Sequence, residues 1–152
     1  MAAEFLRNDV QLVNAGSPVI LDTSIGCSRG YVYHRSQSGI VTLRGAVNNP
    51  SACFATYQVT FNGNIALPTG GTVGPIAVAL AISGEPILTS RAIVTPAAVN
   101  NYFNVTCTAV IQVPKCCCYD VSVENVSEPA TVGGTSPAIN VQNANLTVSR
   151  IS

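Results

Sequence analysis

The chain reads as an all-β protein, a jelly-roll β-sandwich, and three observations predict it. Short segments rich in Val, Ile, Thr and aromatic residues alternate with small polar residues, while helical periodicity is nearly absent. Turn punctuation separates them, as Pro68-Thr-Gly-Gly, Ser83-Gly-Glu-Pro, Thr95-Pro-Ala-Ala and Val132-Gly-Gly-Thr. Charge is scarce: from Gly45 to Val113 the only charged side chains are Glu85 and Arg91. Many short strands at such spacing predict a sandwich or jelly roll.

Taken in order, the pattern predicts strands over Phe5–Val13, Pro18–Leu21, Gly30–His34, Ile40–Arg44, Ala55–Ala66 and Ile76–Ile82. It continues with Ile87–Val94, Tyr102–Val113, Tyr119–Asn125, Ile139–Gln142 and Asn145–Ile151. The first 45 residues differ in character, holding Glu4, Arg7, Asp9, Asp22, Arg29, Arg35, Arg44 and the only His. Residues 1–45 are therefore read as an N-terminal arm or hairpins serving attachment or strand addition, and residues 46–152 as the jelly roll. Ile76–Ile82 does not alternate, and a continuous apolar strand is buried on both faces. One face meets the core. The other is expected to meet a second copy, which makes Ile76, Val78, Ala79, Leu80 and Ile82 the candidate subunit interface; the competing reading is that an N-terminal segment folds over that face.

Composition narrows function. Charged residues are 9% of the 152, against roughly 25% in ordinary soluble domains, so little long-range repulsion keeps copies apart. The zero net charge lacks the electrostatic footprint of a nucleic-acid binder. The longest apolar run, from Pro75 to Ile82, is far shorter than the roughly 18 residues of a membrane span, so no membrane insertion is expected. The N-terminus lacks the basic and apolar regions of a secretory signal, which points to synthesis in the cytoplasm and exit by lysis or a non-standard route. Asn104, Asn125 and Asn145 in Asn-X-Ser/Thr triplets then reflect β-rich composition only.

From Tyr57 onward, four stretches occur in a telling order. They are Tyr57-Gln-Val-Thr-Phe-Asn-Gly-Asn-Ile, then Gly74-Pro-Ile-Ala-Val-Ala-Leu-Ala-Ile-Ser-Gly-Glu-Pro-Ile, then Tyr102-Phe-Asn-Val…Val113-Pro. The closing pair is Tyr119-Asp-Val-Ser-Val-Glu-Asn…Asn145-Leu-Thr-Val-Ser-Arg-Ile. This order resembles the C1q/TNF-like jelly roll found at the C-termini of bacterial collagen-like spore-surface proteins. The resemblance implies a tight trimer packed around apolar strands and a non-enzymatic role outside a large particle. The chain departs from that pattern in lacking a Gly-X-Y stalk, so attachment falls to residues 1–45, through which a spore-coat or capsid protein is the expected partner. The missing stalk and signal also fit stand-alone trimeric β-sandwiches of phage head-decoration and head-fibre proteins.

Six cysteines form the sharpest local feature: Cys27, Cys53, Cys107 and the run Cys116-Cys117-Cys118. Disulfides within or between subunits suit a durable exterior particle, each cross-link stabilising by roughly 2–4 kcal/mol. Free thiols acting as small apolar residues are the plainer reading. A metal site has little support, with one His and no Cys-X-X-Cys pairs. If Val113-Pro-Lys-Cys-Cys-Cys-Tyr is a loop near a three-fold axis, the copies crowd their thiols together. Connectivity stays open, since six cysteines allow 15 pairings.

Catalysis finds no foothold, and the chain is read as a non-enzyme with no cofactor. His34, in Tyr31-Val-Tyr-His-Arg, is better read as a hydrogen-bonded or interfacial histidine than as half of a Cys-His pair. Asp120, Glu124 and Glu128 read as solvated charge, or a cation site between subunits, rather than a glycosidase pair. Gly70-Gly71 and Gly133-Gly134 precede no helix and so form no phosphate-binding loop. The composition and the resemblance together predict a self-assembling structural subunit on the exterior of a bacterial spore or appendage. The alternative is a virion head-decoration or head-fibre protein. A carbohydrate- or receptor-binding module is the third reading, weakened by the absence of Trp.

Overall fold

Residues 54–66 alternate with the two-residue period of a strand. Ala55, Tyr57, Val59, Phe61 and Ile65 are buried, while Phe54, Thr56, Gln58, Thr60, Asn62 and Asn64 turn the other way. The same rule builds most of the molecule in the computed structural model, which describes residues 2–26, 30–47 and 49–151. One antiparallel sheet has the order β10 (Phe103–Pro114), β6 (Phe54–Ala66), β12 (Ile139–Arg150), β1 (Ala2–Arg7), β3 (Thr23–Ile25), with β2 (Gln11–Val13) also on β12. The second runs β4 (Val32–His34), β5 (Val41–Arg44), β11 (Cys118–Asn125), β7 (Ile76–Ile82), β8 (Glu85–Pro86), with β9 (Ala92–Val94) also on β7. Their inner faces close one core containing Phe5, Leu43, Tyr57, Phe61, Ile65, Leu80 and Leu146.

The first 45 residues are not an arm. β1 pairs with β12 through six registered residues, from Ala2 opposite Ser149 to Arg7 opposite Ala144, and lies between β12 and β3. Phe5, Val13, Val19, Leu21, Val32, Val41 and Leu43 belong to the same core as the later strands. Among the described residues no linker separates the two parts at the expected boundary. Gly45 donates its N–H to the Cys117 carbonyl at 2.8 Å, and a Cβ there would lie 1.9 Å from the Pro114 oxygen. The described residues on both sides of position 45 therefore belong to one jelly roll. The charges that suggested otherwise are accommodated within the sandwich: Glu4 faces away from the core, and the half-buried Arg7 at the end of β1 meets Asp22 at 3.9 Å.

The strand Ile76–Ile82 forms over the expected residues, but its second face already has cover within one chain. Ile76, Val78 and Leu80 point into the core at 0% exposure. The outward Ala77, Ala79 and Ala81 are buried too, short side chains lying beside Ile93, Glu124 and Ser122. Ile82 is half-buried and packs against the core. An interface at Ile76, Val78, Ala79, Leu80 and Ile82 thus has almost no surface to offer, and that expectation is corrected.

Smaller departures have local causes. Ile87–Val94 is interrupted by a 3-10 turn at Leu88–Ser90, where the buried Ser90 hydroxyl accepts from Leu80 N–H at 3.0 Å and donates to the Ile87 carbonyl. Ile139–Gln142 and Asn145–Ile151 are one bulged strand, its register shifting between Gln142 and Asn145 with Asn143 at φ 54°. Pro18–Leu21 is reduced to isolated bridges, Pro18 to Glu124 and Leu21 to Ser38. β3 gave no apolar signal because all three of its residues are exposed. β8 follows a two-residue turn in which Ser83 and Gly84 both have positive φ, the tight-hairpin geometry.

Candidate interaction surface

The charge-poor stretch from Gly45 to Val113 supplies the two adjacent strands β6 and β10, neither of which carries a charge, and so paves one face of the sandwich. Outward on β6 lie Phe54, Thr56, Gln58, Thr60, Asn62 and Asn64; opposite them on β10 lie Pro114, Gln112, Val110, Thr108, Thr106 and Asn104. β12 continues the surface with Asn140, Gln142, Asn145, Thr147 and Ser149. None of these positions is charged. β1 then adds Ala2, Glu4 and Leu6, so Glu4 is the single charge among the outward positions of these four strands; Arg7 and Arg150, at the strand ends, fall on the other parity.

The side chains of this face hold one another. Thr60 and Thr108 hydroxyls meet at 3.2 Å, and Asn62 Nδ2 donates to Thr106 Oγ1 at 3.3 Å. Asn104 Nδ2 donates to the Oδ1 atoms of Asn62 and Asn64 at 2.9 and 3.1 Å. Asn64 Nδ2 donates to Asn143 Oδ1 at 3.1 Å, and Asn143 Nδ2 donates in turn to Asn8 Oδ1. Groups already paired with one another lose less when water is removed than groups that depend on water for their hydrogen bonds. The outer face of the second sheet contrasts with it: Arg44, Asp120 and Glu124 lie there, with Tyr33 57% exposed.

Four thiols gather where β6 begins, β10 ends and β11 begins. Cys53, Cys116, Cys117 and Cys118 are exposed and unbonded. Backbone hydrogen bonds fix their segment: Lys115 N to Cys53 O at 2.9 Å, Cys116 N to Ala46 O at 3.3 Å, and Cys117 N to Pro114 O at 3.0 Å. Cysteine is among the residues most often buried, so four exposed on one rim is unusual. Cys107 differs. It is buried against β7, its Sγ 3.5 Å from the Val78 carbonyl, and burial pushes its thiol up to about 11. Cys27 lies outside the described residues. Among the described residues no group of three His, Cys, Asp or Glu could hold a metal.

His34 sits in a fixed hydrogen-bonded place. Its Nε2 is 2.9 Å from the Ser38 carbonyl, which can only accept, so Nε2 carries the proton and Nδ1 accepts from Ser24 Oγ at 3.2 Å. Its ring centroid is 4.9 Å from that of Phe5. The acidic residues separate. Glu128 pairs with Arg91 at 3.4 Å, Asp120 accepts from Thr42 Oγ1 at 2.7 Å, and Glu124 is buried. Asp120 and Glu124 share a face four residues apart on an extended strand, roughly 13 Å between Cα atoms, beyond the spacing of a glycosidase pair.

Comparison with solved structures fits this architecture. The globular domain of zebrafish complement 1qA protein superposes with a TM-score of 0.58 at 15% identity, covering 99% of this chain and 97% of that one. The fold is the C1q-like jelly roll, and at this identity the likeness concerns fold alone. Two further structures are more distant in shape. The C-terminal domain of EclA, titled a sugar-binding protein, has a TM-score of 0.36 at 17% identity over 80% of this chain and 86% of that one. CBM35 from Cellvibrio japonicus Abf62 has a TM-score of 0.33 at 10% identity over 100% and 99%. No protein-family model matches the chain, and no curated protein matches its sequence.

Proposed function

We propose that this chain is a non-enzymatic structural subunit that associates with copies of itself through the outer face of β10, β6, β12 and β1. The observation that carries the reading is the near-absence of charge on that face, with its amides and hydroxyls paired to one another. Burying a charge against a neighbour costs several kcal/mol unless it is paired, and here only Glu4 would incur that cost. With about twenty side chains the face is the size of one side of a standard protein interface. Three copies around an axis are the expected arrangement, following the resemblance to C1q/TNF-like domains. A particle exterior such as a spore surface or appendage is the proposed setting, on the same ground.

The rim thiols fit that role as cross-links between copies. Two thiols on neighbouring copies lose two protons and two electrons to dioxygen or a small-molecule disulfide, forming one S–S bond. A rim of four thiols, none bonded within the chain, leaves each of them available for this.

Sedimentation of the wild-type chain should give a mass near three times 15.7 kDa. Thr60→Lys, at the centre of the face, should give a folded monomer. A trimer that tolerates this lysine would refute the assignment of the face. Cross-linking is read on denaturing gels: multimers seen without reductant should vanish with it, and equal migration in both lanes would count against the thiols.

A further inference from the structure

We propose that the hollow over β11, between Pro18 and Ile40 on one side and Ser83 and Gly84 on the other, is a binding site for an alkylammonium group, a primary amine on an apolar stem. The cavity measures about 380 Å³, and Asp120, Ser122 and Glu124 form its floor. Glu124 is 9% exposed although it belongs to the outer side of the sheet. It receives a single hydrogen bond, from Ser122 Oγ to Oε1 at 3.4 Å, which is long for a charge-assisted contact. Its other oxygen, which keeps some access to solvent from the hollow, receives no hydrogen bond among the described residues. The ion pairs among the described residues, Arg7 with Asp22 and Arg91 with Glu128, leave Glu124 without a cation.

Burial of this kind disfavours the carboxylate, and Glu124 is pushed above the usual range by desolvation, with Ser122 opposing and Glu85 adding like-charge repulsion. A cation seated in the hollow offsets the cost of desolvation and the repulsion from Glu85 together. A metal ion is a poor occupant, since Asp120 and Glu124 lie too far apart along the strand to share one, and no three-ligand group exists among the described residues. An ammonium fits better. It brings three donors and no acceptor, and the floor offers the Glu124 carboxylate and the Ser122 lone pairs next to it, with Asp120 farther along the strand adding only longer-range attraction. Pro18 and Ile40, the latter 47% exposed, supply the apolar wall along which an alkyl stem can lie.

The amine could belong to a lysine side chain or to a free small molecule, and two probes separate these sources. The isotope-labelled full chain is titrated with n-butylammonium chloride and with Nα-acetyl-lysine methylamide, with n-butanol as the uncharged control. Saturable amide shifts centred on Gly84, Ser122 and Glu124 are expected for butylammonium and not for butanol. Shifts with the lysine derivative as well identify a protein side chain as a fitting occupant; shifts with butylammonium alone identify a small free amine. Glu124→Gln keeps the shape and should weaken binding by about tenfold or more. Ser122→Ala should weaken it less, and saturating butylammonium should lower the titration midpoint of Glu124. Absence of saturable shifts, equal shifts with butanol, or unchanged affinity in Glu124→Gln would overturn the proposal. None of these outcomes depends on the oligomeric state.

Discussion

Val78→Asp separates core from interface at one residue. Val78 lies in the core of a single chain at 0% exposure, with Cys107 Sγ against its carbonyl. Losing the buried valine side chain removes about 1.5–3 kcal/mol. A fully buried carboxyl has its pKa raised by up to about 3–5 units, at 1.36 kcal/mol each, and at pH 7 the ionic part of the cost reaches its ceiling of about 4 kcal/mol, set by the distance from the unfolded value of about 3.9. Together the cost is comparable to the whole stability of a domain, about 5–15 kcal/mol. The penalty also has a sign in pH. It is fully present above the raised folded pKa, shrinks as pH falls, and its ionic part is gone below the unfolded value of about 3.9. Urea titration followed by tyrosine fluorescence and circular dichroism should show a collapsed midpoint at pH 7, partly recovered in mild acid relative to wild type. Thr60→Lys, on the outer face, should behave oppositely, with single-chain stability within about 0.5 kcal/mol of wild type and association lost. A Val78→Asp chain that keeps the wild-type midpoint and merely fails to associate would refute the placement of this strand.

Three further outcomes follow from buried groups. The fully buried Tyr57 donates its hydroxyl hydrogen to the Arg44 carbonyl, so Tyr57→Phe strands a buried acceptor; it should cost about 1–3 kcal/mol, at about 2–4 °C of melting temperature per kcal/mol, read by calorimetry. Alkylation of the native chain at pH 8, mapped by mass spectrometry, should label Cys53, Cys116, Cys117 and Cys118 while sparing Cys107; labelling of Cys107 at the same rate would contradict its burial. Because folding raises the pKa of Glu124, stability is lost as pH rises from the ordinary glutamate value through the raised folded one. Glu124→Gln should therefore match wild type below about pH 4 and exceed it at pH 7, and equal stability at both would contradict the raised value.

Most of the strands were legible because the two-residue period survives wherever one face is buried. β6, β10 and β11 emerge within a residue of their expected bounds for that reason. β3 was invisible because its residues are all exposed, and the break at Leu88–Ser90 because a serine hydroxyl there substitutes for a backbone partner. The N-terminal residues were misjudged on their charges, which composition counts but does not place. Of the interaction surface, the sequence showed its neutrality and not its location: residues 54–64 and 104–114 become a face only because β6 and β10 are neighbours.

By itself the sequence determined that the protein is all-β, that it is poor in charge, and that Ile76–Ile82 is buried on both sides. These are properties of local period and composition, and they follow from the residues alone. Which surface covers that strand was decided by tertiary structure. The outward alanines are short enough to lie beneath neighbours of the same chain, so the neutral surface left open belongs to the opposite sheet. The gathering of Cys53 with Cys116, Cys117 and Cys118, and the isolation of Glu124 in its hollow, depend likewise on contacts between residues distant in sequence. Such contacts are set by strand order and register, which no local pattern encodes.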